Sequence, residues 1–250
     1  MIRRAFLFTI VTVIIMFAVE HFLHTDKYLQ DIGGISAFLV VYGALYGITA
    51  AFIVVEVWVK FNNTKQLIEK EAQGIEKFYN LTLYFRDSKL TKKVKALILD
   101  YITIIKHESF AQMGEGTKHT DEEKLFRKIA VTIRDIEFDD NHDNVLFGSL
   151  VEHYGELAQL RTERIHVCTV RLPEPLRVFF YASTVFTVLS FVFMPFVNIY
   201  YGLLVTGFLV FSLSMLISIV EGLDNPVKGY WKITPRAFED AWEHIQGSYE

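Results

Sequence analysis

Cysteine occurs once in this sequence, at Cys168, which excludes an internal disulfide framework and any cysteine-based zinc site. Proline is absent before Pro173, and strand signals are nearly absent throughout. The 14 glycines are scattered, with no GxGxxG or Walker-type spacing to cradle a phosphate. A net charge of −4 gives no reason to expect nucleic acid as a partner. The most informative shortage is local. Between Arg177 and Glu221 lie 43 consecutive residues, Val178–Val220, without one charged side chain.

A single helix crosses the hydrocarbon core with about 20 apolar residues, each rising about 1.5 Å. The 43-residue run is too long for one span and right for two. Its break falls at Pro195-Phe196-Val197-Asn198-Ile199-Tyr200-Tyr201-Gly202: a helix-ending proline, a turn-tolerant asparagine and tyrosines suited to the headgroup layer. The pattern predicts a membrane hairpin over 173–221, with helix 3 at about 176–196 and helix 4 at about 200–220. Two buried helices of a soluble domain fit poorly, because neither has a polar face to show to water.

Two further spans precede it. Arg3 and Arg4 lead into Ala5–Val19, fifteen uncharged residues that Phe22-Leu23 extends, giving helix 1 at about 3–23. A secretory signal opens the same way, but no small-x-small cleavage site follows, so an uncleaved helix is expected. His21 and His24 are read as an interfacial cluster, not a metal site. Ile32–Val55, 24 uncharged residues between Asp31 and Glu56, predicts helix 2 at about 34–59, within a first membrane region of 1–60. One face of it carries Gly43, Gly47, Ala50 and Ala51, the small-residue pattern that lets helices approach closely in lipid. Another carries Phe38, Tyr42, Leu45, Thr49, Phe52 and Glu56. By spacing alone this second stripe reads as packing, although an ionisable residue at a span's end usually faces water or a partner.

From 61 to 172 charged residues appear throughout and apolar ones return at helical spacing, which predicts a helical domain outside the membrane. Ile68, Ala72, Ile75, Tyr79 and Thr82 continue helix 2. Val94, Leu97, Tyr101 and Ile105 mark the next helix, and Asp121–Ile136 a third, with Thr120 as N-cap and Glu123 as its capping-box partner. Asn144–Val170 makes a fourth, with Leu146, Leu150, Tyr154, Leu157 and Leu160 inward. Asp139-x-Asn141-x-Asp143 copies the start of a calcium loop. Asn144 then replaces the turn glycine and Leu150 the bidentate glutamate, so it reads as a solvated capping turn. The tail, 222–250, offers a short amphipathic helix, Arg236–Ile245, whose Phe238, Trp242 and Ile245 suit either a membrane surface or the helical domain.

Composition agrees with a four-span membrane protein: hydrophobic content is 52% and mean hydropathy +0.28. Four spans put both termini and the helical domain on one side. That side holds Arg3, Arg4, Lys60, Lys65, Lys70, Arg164, Arg171, Arg177, Lys228 and Lys232 near the membrane, whereas the short opposite loops hold only Lys27. The positive-inside rule makes the first side cytoplasmic, in a multi-pass protein of the cell membrane. The glycosylation-like triplets Asn62-Asn63-Thr64 and Asn80-Leu81-Thr82 are then chance matches.

Several residues in this order resemble the signature of the uncharacterised bestrophin-like membrane proteins of bacteria. They are Trp58, Phe61 and Glu71-Ala72 after the second span, and Arg161 and Arg164 ahead of Pro173. Leu223-Asp224-x-Pro226-x-x-Gly229, with Pro235 and Phe238, follows the fourth span. The resemblance implies an all-α fold with the helical domain inserted between spans 2 and 3, and a place in a homo-oligomeric ion channel, pentameric as in bestrophins, with inorganic ions as its traffic. In bestrophins the second helix lines the pore, which would make Tyr42, Thr49 and Phe52 candidate constrictions and Glu56 a charge ring at the mouth. A glutamate ring favours cations. The opposite placement, with the small-residue face at the pore, stays open. Bestrophins proper carry a dense acidic calcium clasp after the fourth span; only Glu221 and Asp224 stand there, which puts calcium gating in question.

The competing reading is a membrane-anchored helical scaffold or sensor that binds a cytoplasmic partner without conducting. An enzyme ranks third, since no Ser/His/Asp arrangement or HExxH motif is visible. His107, His153 and His166 sit among apolar neighbours and read as packed or solvated. No cofactor is expected.

Overall fold

In the structure, a computed structural model, residues 2–23, 32–109, 120–137 and 141–248 are described. Among them helices are the only regular elements: α1 (Ile2–Leu23), α2 (Ile32–Leu83), α3 (Ser88–Ile104), α4 (Thr120–Arg134), α5 (Asn141–Thr169), α6 (Glu174–Val192), α7 (Ile199–Asp224) and α8 (Arg236–Gly247). A single π-helical turn, Ile105–Ser109, extends α3. Four stretches are helical, long and apolar enough to cross a membrane: α1, α2, the run containing α6, and α7. The chain divides into two compact units, Met1–Val59 with Leu172–Asp224, and Lys60–Arg171 with Asn225–Glu250. Helix α2 passes from the first into the second without interruption.

The first unit holds α1, the apolar part of α2, α6 and α7. Its outward faces are apolar: Phe6, Leu7, Val40, Val41, Val178 and Phe208 are all exposed, as suits helices solvated by hydrocarbon. Several hydroxyls inside the spans are spent on their own helices, although the buried Thr206 hydroxyl of α7 finds no partner. Thr9, Thr12, Thr187 and Ser212 each donate to the carbonyl four residues back, at 2.8 to 3.0 Å, which removes the cost of an unmet donor in lipid. Helix α1 runs close beside α7 at Gly207, where a Cβ would lie 3.4 Å from Val13. Helix α6 stops at Val192, short of the predicted 196, and α7 starts at Ile199. Tyr200, Tyr201 and Gly202, expected in the break, are therefore helical. The reason is Asn198, whose Oδ1 accepts from the Tyr200 N–H at 3.0 Å and caps α7.

The second unit is a helical core built on the charged half of α2. Ile68, Ala72, Ile75, Tyr79 and Thr82 are buried, as their spacing predicts, and with Phe78 beside them the apolar ones meet Val94, Ile98, Tyr101 and Ile102 of α3 and Leu150 and Leu157 of α5. Ile98 and Ile102 are buried beside the expected Val94, Tyr101 and Ile105, and Leu97 packs against the same core half-buried. The turn from α2 to α3 places Arg86 at φ 58°, after which Asp87 caps α3 by accepting from the Lys89 N–H at 2.8 Å. Helix α8 joins this core: Phe238, Ala241 and Ile245 are buried in it, and Trp242 lies under Lys106 at 5.5 Å. Glu123, expected as the capping-box partner, binds Arg127 one turn on at 2.6 Å, and the Thr120 side chain lies outside the described residues. Thr64 and Thr82, the hydroxyl residues of both glycosylation-like triplets, are fully buried.

Candidate functional site

Two constellations carry the residues singled out in the sequence, one in each unit. In the first, α2 packs through Tyr46, Ala50, Ile53 and Val57, all no more than 6% exposed. The Tyr46 hydroxyl shares a 2.7 Å hydrogen bond with Thr184 of α6, and its ring stacks on Phe180. At about 100° per residue, the predicted aromatic stripe lies on one flank of this packed face and the small-residue stripe on the other. The structure separates the four pore candidates into two pairs. Tyr42 is half-buried with its ring 4.8 Å from Phe186, and Thr49 is half-buried with its hydroxyl on the Leu45 carbonyl at 2.9 Å. Phe52 is 71% exposed and Glu56 is exposed too, both turned away from the chain's own core. On the far flank Gly43 and Gly47 have nothing within 4 Å of a built Cβ, whereas Ala50 is buried.

In the second unit the motif residues Glu71, Arg161 and Arg164 meet in one buried charge cluster. Glu71 and Arg164 are fully buried. Arg164 Nε donates to Glu71 Oε2, and its Nη2 donates to Glu122 Oε1 at 2.7 Å and to Glu71 Oε1 at 3.3 Å. Arg161 Nε donates to the same Glu122 oxygen at 3.0 Å, and the Tyr101 hydroxyl donates to Glu71 Oε1 at 2.8 Å. Two carboxylates therefore face two guanidiniums, and the Phe238 ring lies 5.9 Å from the Arg164 Cζ. Burial alone would lower the Arg164 pKa; the carboxylates of Glu71 and Glu122 outweigh it and hold the group well above its usual range. Burial, with the same carboxylates, raises the Tyr101 pKa well above 10.0. Such a cluster keeps Arg164 charged and fixes it in place.

The remaining motif residues shape the chain around the ends of α6 and α7. Asp224, buried at the end of α7, accepts from the Leu172 N–H at 2.8 Å and from Arg177 Nη2 at 3.1 Å, just before the exposed Pro173 where α6 begins. In the second unit Pro226 is buried and its carbonyl accepts from the Ile233 N–H at 2.7 Å. Gly229 N–H closes a turn onto the Asn225 carbonyl at 2.7 Å, and the Pro235 carbonyl accepts the first N–H of α8 from Phe238. Trp58 is 54% exposed.

Sequence reasoning did not find Glu122 and Tyr101 as partners of the motif residues, nor the Tyr181 hydroxyl donating to Glu221 at 2.8 Å. A signal for the first existed. Glu71 lies between Ile68 and Ile75, and Glu122 three residues before Leu125, so both acids fall on apolar helix faces. His153 is engaged by Glu156 at 2.8 Å, a hydrogen bond that lowers the Glu156 pKa. His24, and Asp139 of the calcium-loop-like stretch, lie outside the described residues, as does the Asn141 side chain.

Comparison with known proteins turns on fold. No curated protein matches the chain. A crystal structure of a bacterial bestrophin homolog from Klebsiella pneumoniae, phased with zinc, superposes with a TM-score of 0.73 at 12% identity, covering 100% of both chains. Two point mutants of a bestrophin homolog from the same bacterium give TM-scores of 0.75 and 0.72 at 11% and 12% identity, covering 97% and 99% of each chain. Likeness at such low identity establishes the fold. The Bestrophin-like domain model matches residues 6–238, and on that match over nearly its whole length the chain belongs to the bestrophin-like family.

Proposed function

We propose that this membrane protein is one subunit of a homo-oligomeric ion channel whose pore is lined by α2. The observation that carries the reading is the state of α2 within a single chain. It uses one narrow face for its own unit and leaves a stripe ending in Phe52 and Glu56 uncovered. A carboxylate at the end of an apolar span is costly against lipid and natural beside water. In a ring of copies that stripe turns to a shared axis, where aromatic rings gate by dewetting and Glu56 biases the mouth towards cations. Family membership supports the reading, because bestrophins are channels whose second helix lines the pore. The excess of Lys and Arg around the second unit supports placing that unit and both termini in the cytoplasm of a cell-membrane protein.

Purified protein in planar bilayers is expected to pass current. Phe52→Ala should raise conductance and Glu56→Gln should reduce the preference for cations over anions. Electrically silent bilayers containing verified protein would overturn the reading.

A further inference from the structure

Within the first unit, α1, α6 and α7 enclose a crevice of about 260 Å³ that the pore does not use. Along α6 it is lined at Tyr181, Val185, Val188 and Val192, a stripe of 11 residue steps, so it extends about 16 Å at 1.5 Å per residue. It is long and apolar, not round. Of its four hydroxyls, Thr12 donates to the Phe8 carbonyl, Thr184 to the Phe180 carbonyl and Tyr181 to Glu221, and Ser214 is the fourth. A single serine hydroxyl falls short of the two to four polar partners that hold a buried water. An empty slot would forfeit the dispersion contacts of its walls. Hydrocarbon is what remains, and the rim is open to it, with Phe8, Val185 and Leu189 between 48% and 57% exposed.

One end of the slot is polar. Tyr181 lines the crevice and donates to the exposed Glu221. Arg177, one turn earlier on α6, reaches Asp224 at 3.1 Å with its side chain 40% exposed. On α6 and α7 this end offers both signs of charge, the carboxylates of Glu221 and Asp224 and the guanidinium of Arg177. That set suits a headgroup with an ammonium for Glu221 and a phosphate for Arg177 better than an anionic headgroup.

We infer that the crevice between α1, α6 and α7 holds one acyl chain of a bilayer phospholipid with a primary-amine headgroup, whose ammonium pairs with Glu221 and whose phosphate pairs with Arg177. Because lipid tails are as apolar as the walls, selectivity comes from the headgroup and from shape, not from a hydrophobic gain. Exposed pairs of this kind are worth about two- to fivefold in preference.

The test uses the full chain reconstituted from vesicles of equal phosphatidylethanolamine and phosphatidylglycerol, released in mild detergent, with retained lipids counted by native mass spectrometry. Wild type should keep one lipid per chain, enriched about two- to fivefold in phosphatidylethanolamine. Val188→Trp, which fills the slot, should lose that lipid. Ser214→Phe fills it from α7 and serves if the first variant does not fold. Val41→Trp on the outward face of α2 should change nothing. Glu221→Gln should keep the lipid and lose the enrichment. Retention unchanged in both filling variants, or enrichment in phosphatidylglycerol, overturns the inference. So does a cross-link between copies through a Val188→Cys thiol, which would show a second chain filling the slot. None of these outcomes depends on conduction.

Discussion

Arg164 is the residue whose loss the second unit tolerates least. Truncating one partner of a buried ion pair leaves the other charge uncompensated, at about 3–5 kcal/mol. Arg164→Ala leaves Glu71 without a cation and should lower the melting temperature sharply, whereas Glu71→Ala leaves Arg164 on Glu122 and should cost less. Glu71→Gln combined with Arg164→Met should recover part of the loss, because neither charge is then stranded. A double variant no more stable than the worse single one, measured by thermal unfolding in detergent, contradicts the pairing. Cys168 makes the opposite prediction. Its thiol is fully buried and burial pushes its pKa to about 11. At pH 8 only about one molecule in a thousand carries the reactive thiolate. Maleimide should leave the folded chain unlabelled and modify it after unfolding; rapid labelling of folded protein would show that the thiol is accessible. At this scale the sequence displayed the acids and bases but not their pairings. Glu71 and Arg164 are 93 positions apart, and only the packing of α2 on α5 brings them together.

At the scale of elements, absences of charge were the most legible signal. The spans and the hairpin follow from charge-free runs, because hydrocarbon demands both length and apolarity. Which face of α2 packs was not legible. In a helix apolar all round no contrast marks the inward side, and Tyr46, Ala50, Ile53 and Val57 differ little in character from their neighbours. In α3 the cause differs: Leu97, Ile98 and Leu99 are consecutive apolar residues, and spacing did not single out Ile98 as the one fully buried. The tail helix α8 left two surfaces open because aromatic side chains suit both, and the second unit's core claims it through Phe238 and Ile245. Asp224 joins the start of α6 to the end of α7, so Asp224→Ala should strand the buried Leu172 N–H at about 1–3 kcal/mol. Asp224→Asn keeps an acceptor there and should lose less. Equal stability of all three proteins in thermal melts would mean that the Leu172 contact contributes nothing.

For the whole molecule, topology and assembly follow from different observations and fail separately. The silent Cys168 provides a clean background for topology. A thiol introduced by Asn198→Cys, in the turn between α6 and α7, should label from outside intact cells, whereas one at the exposed Lys92 should label only after lysis. The reverse pattern would invert the cytoplasmic placement. Assembly rests on α2, whose uncovered stripe is proposed to face an axis shared with other copies. The mass of the purified particle, read by light scattering with detergent subtracted, tests this most directly. A closed ring gives a discrete multiple of the 29.0 kDa chain, five copies by family precedent; a particle of one chain's mass at every concentration would contradict a pore at the subunit axis.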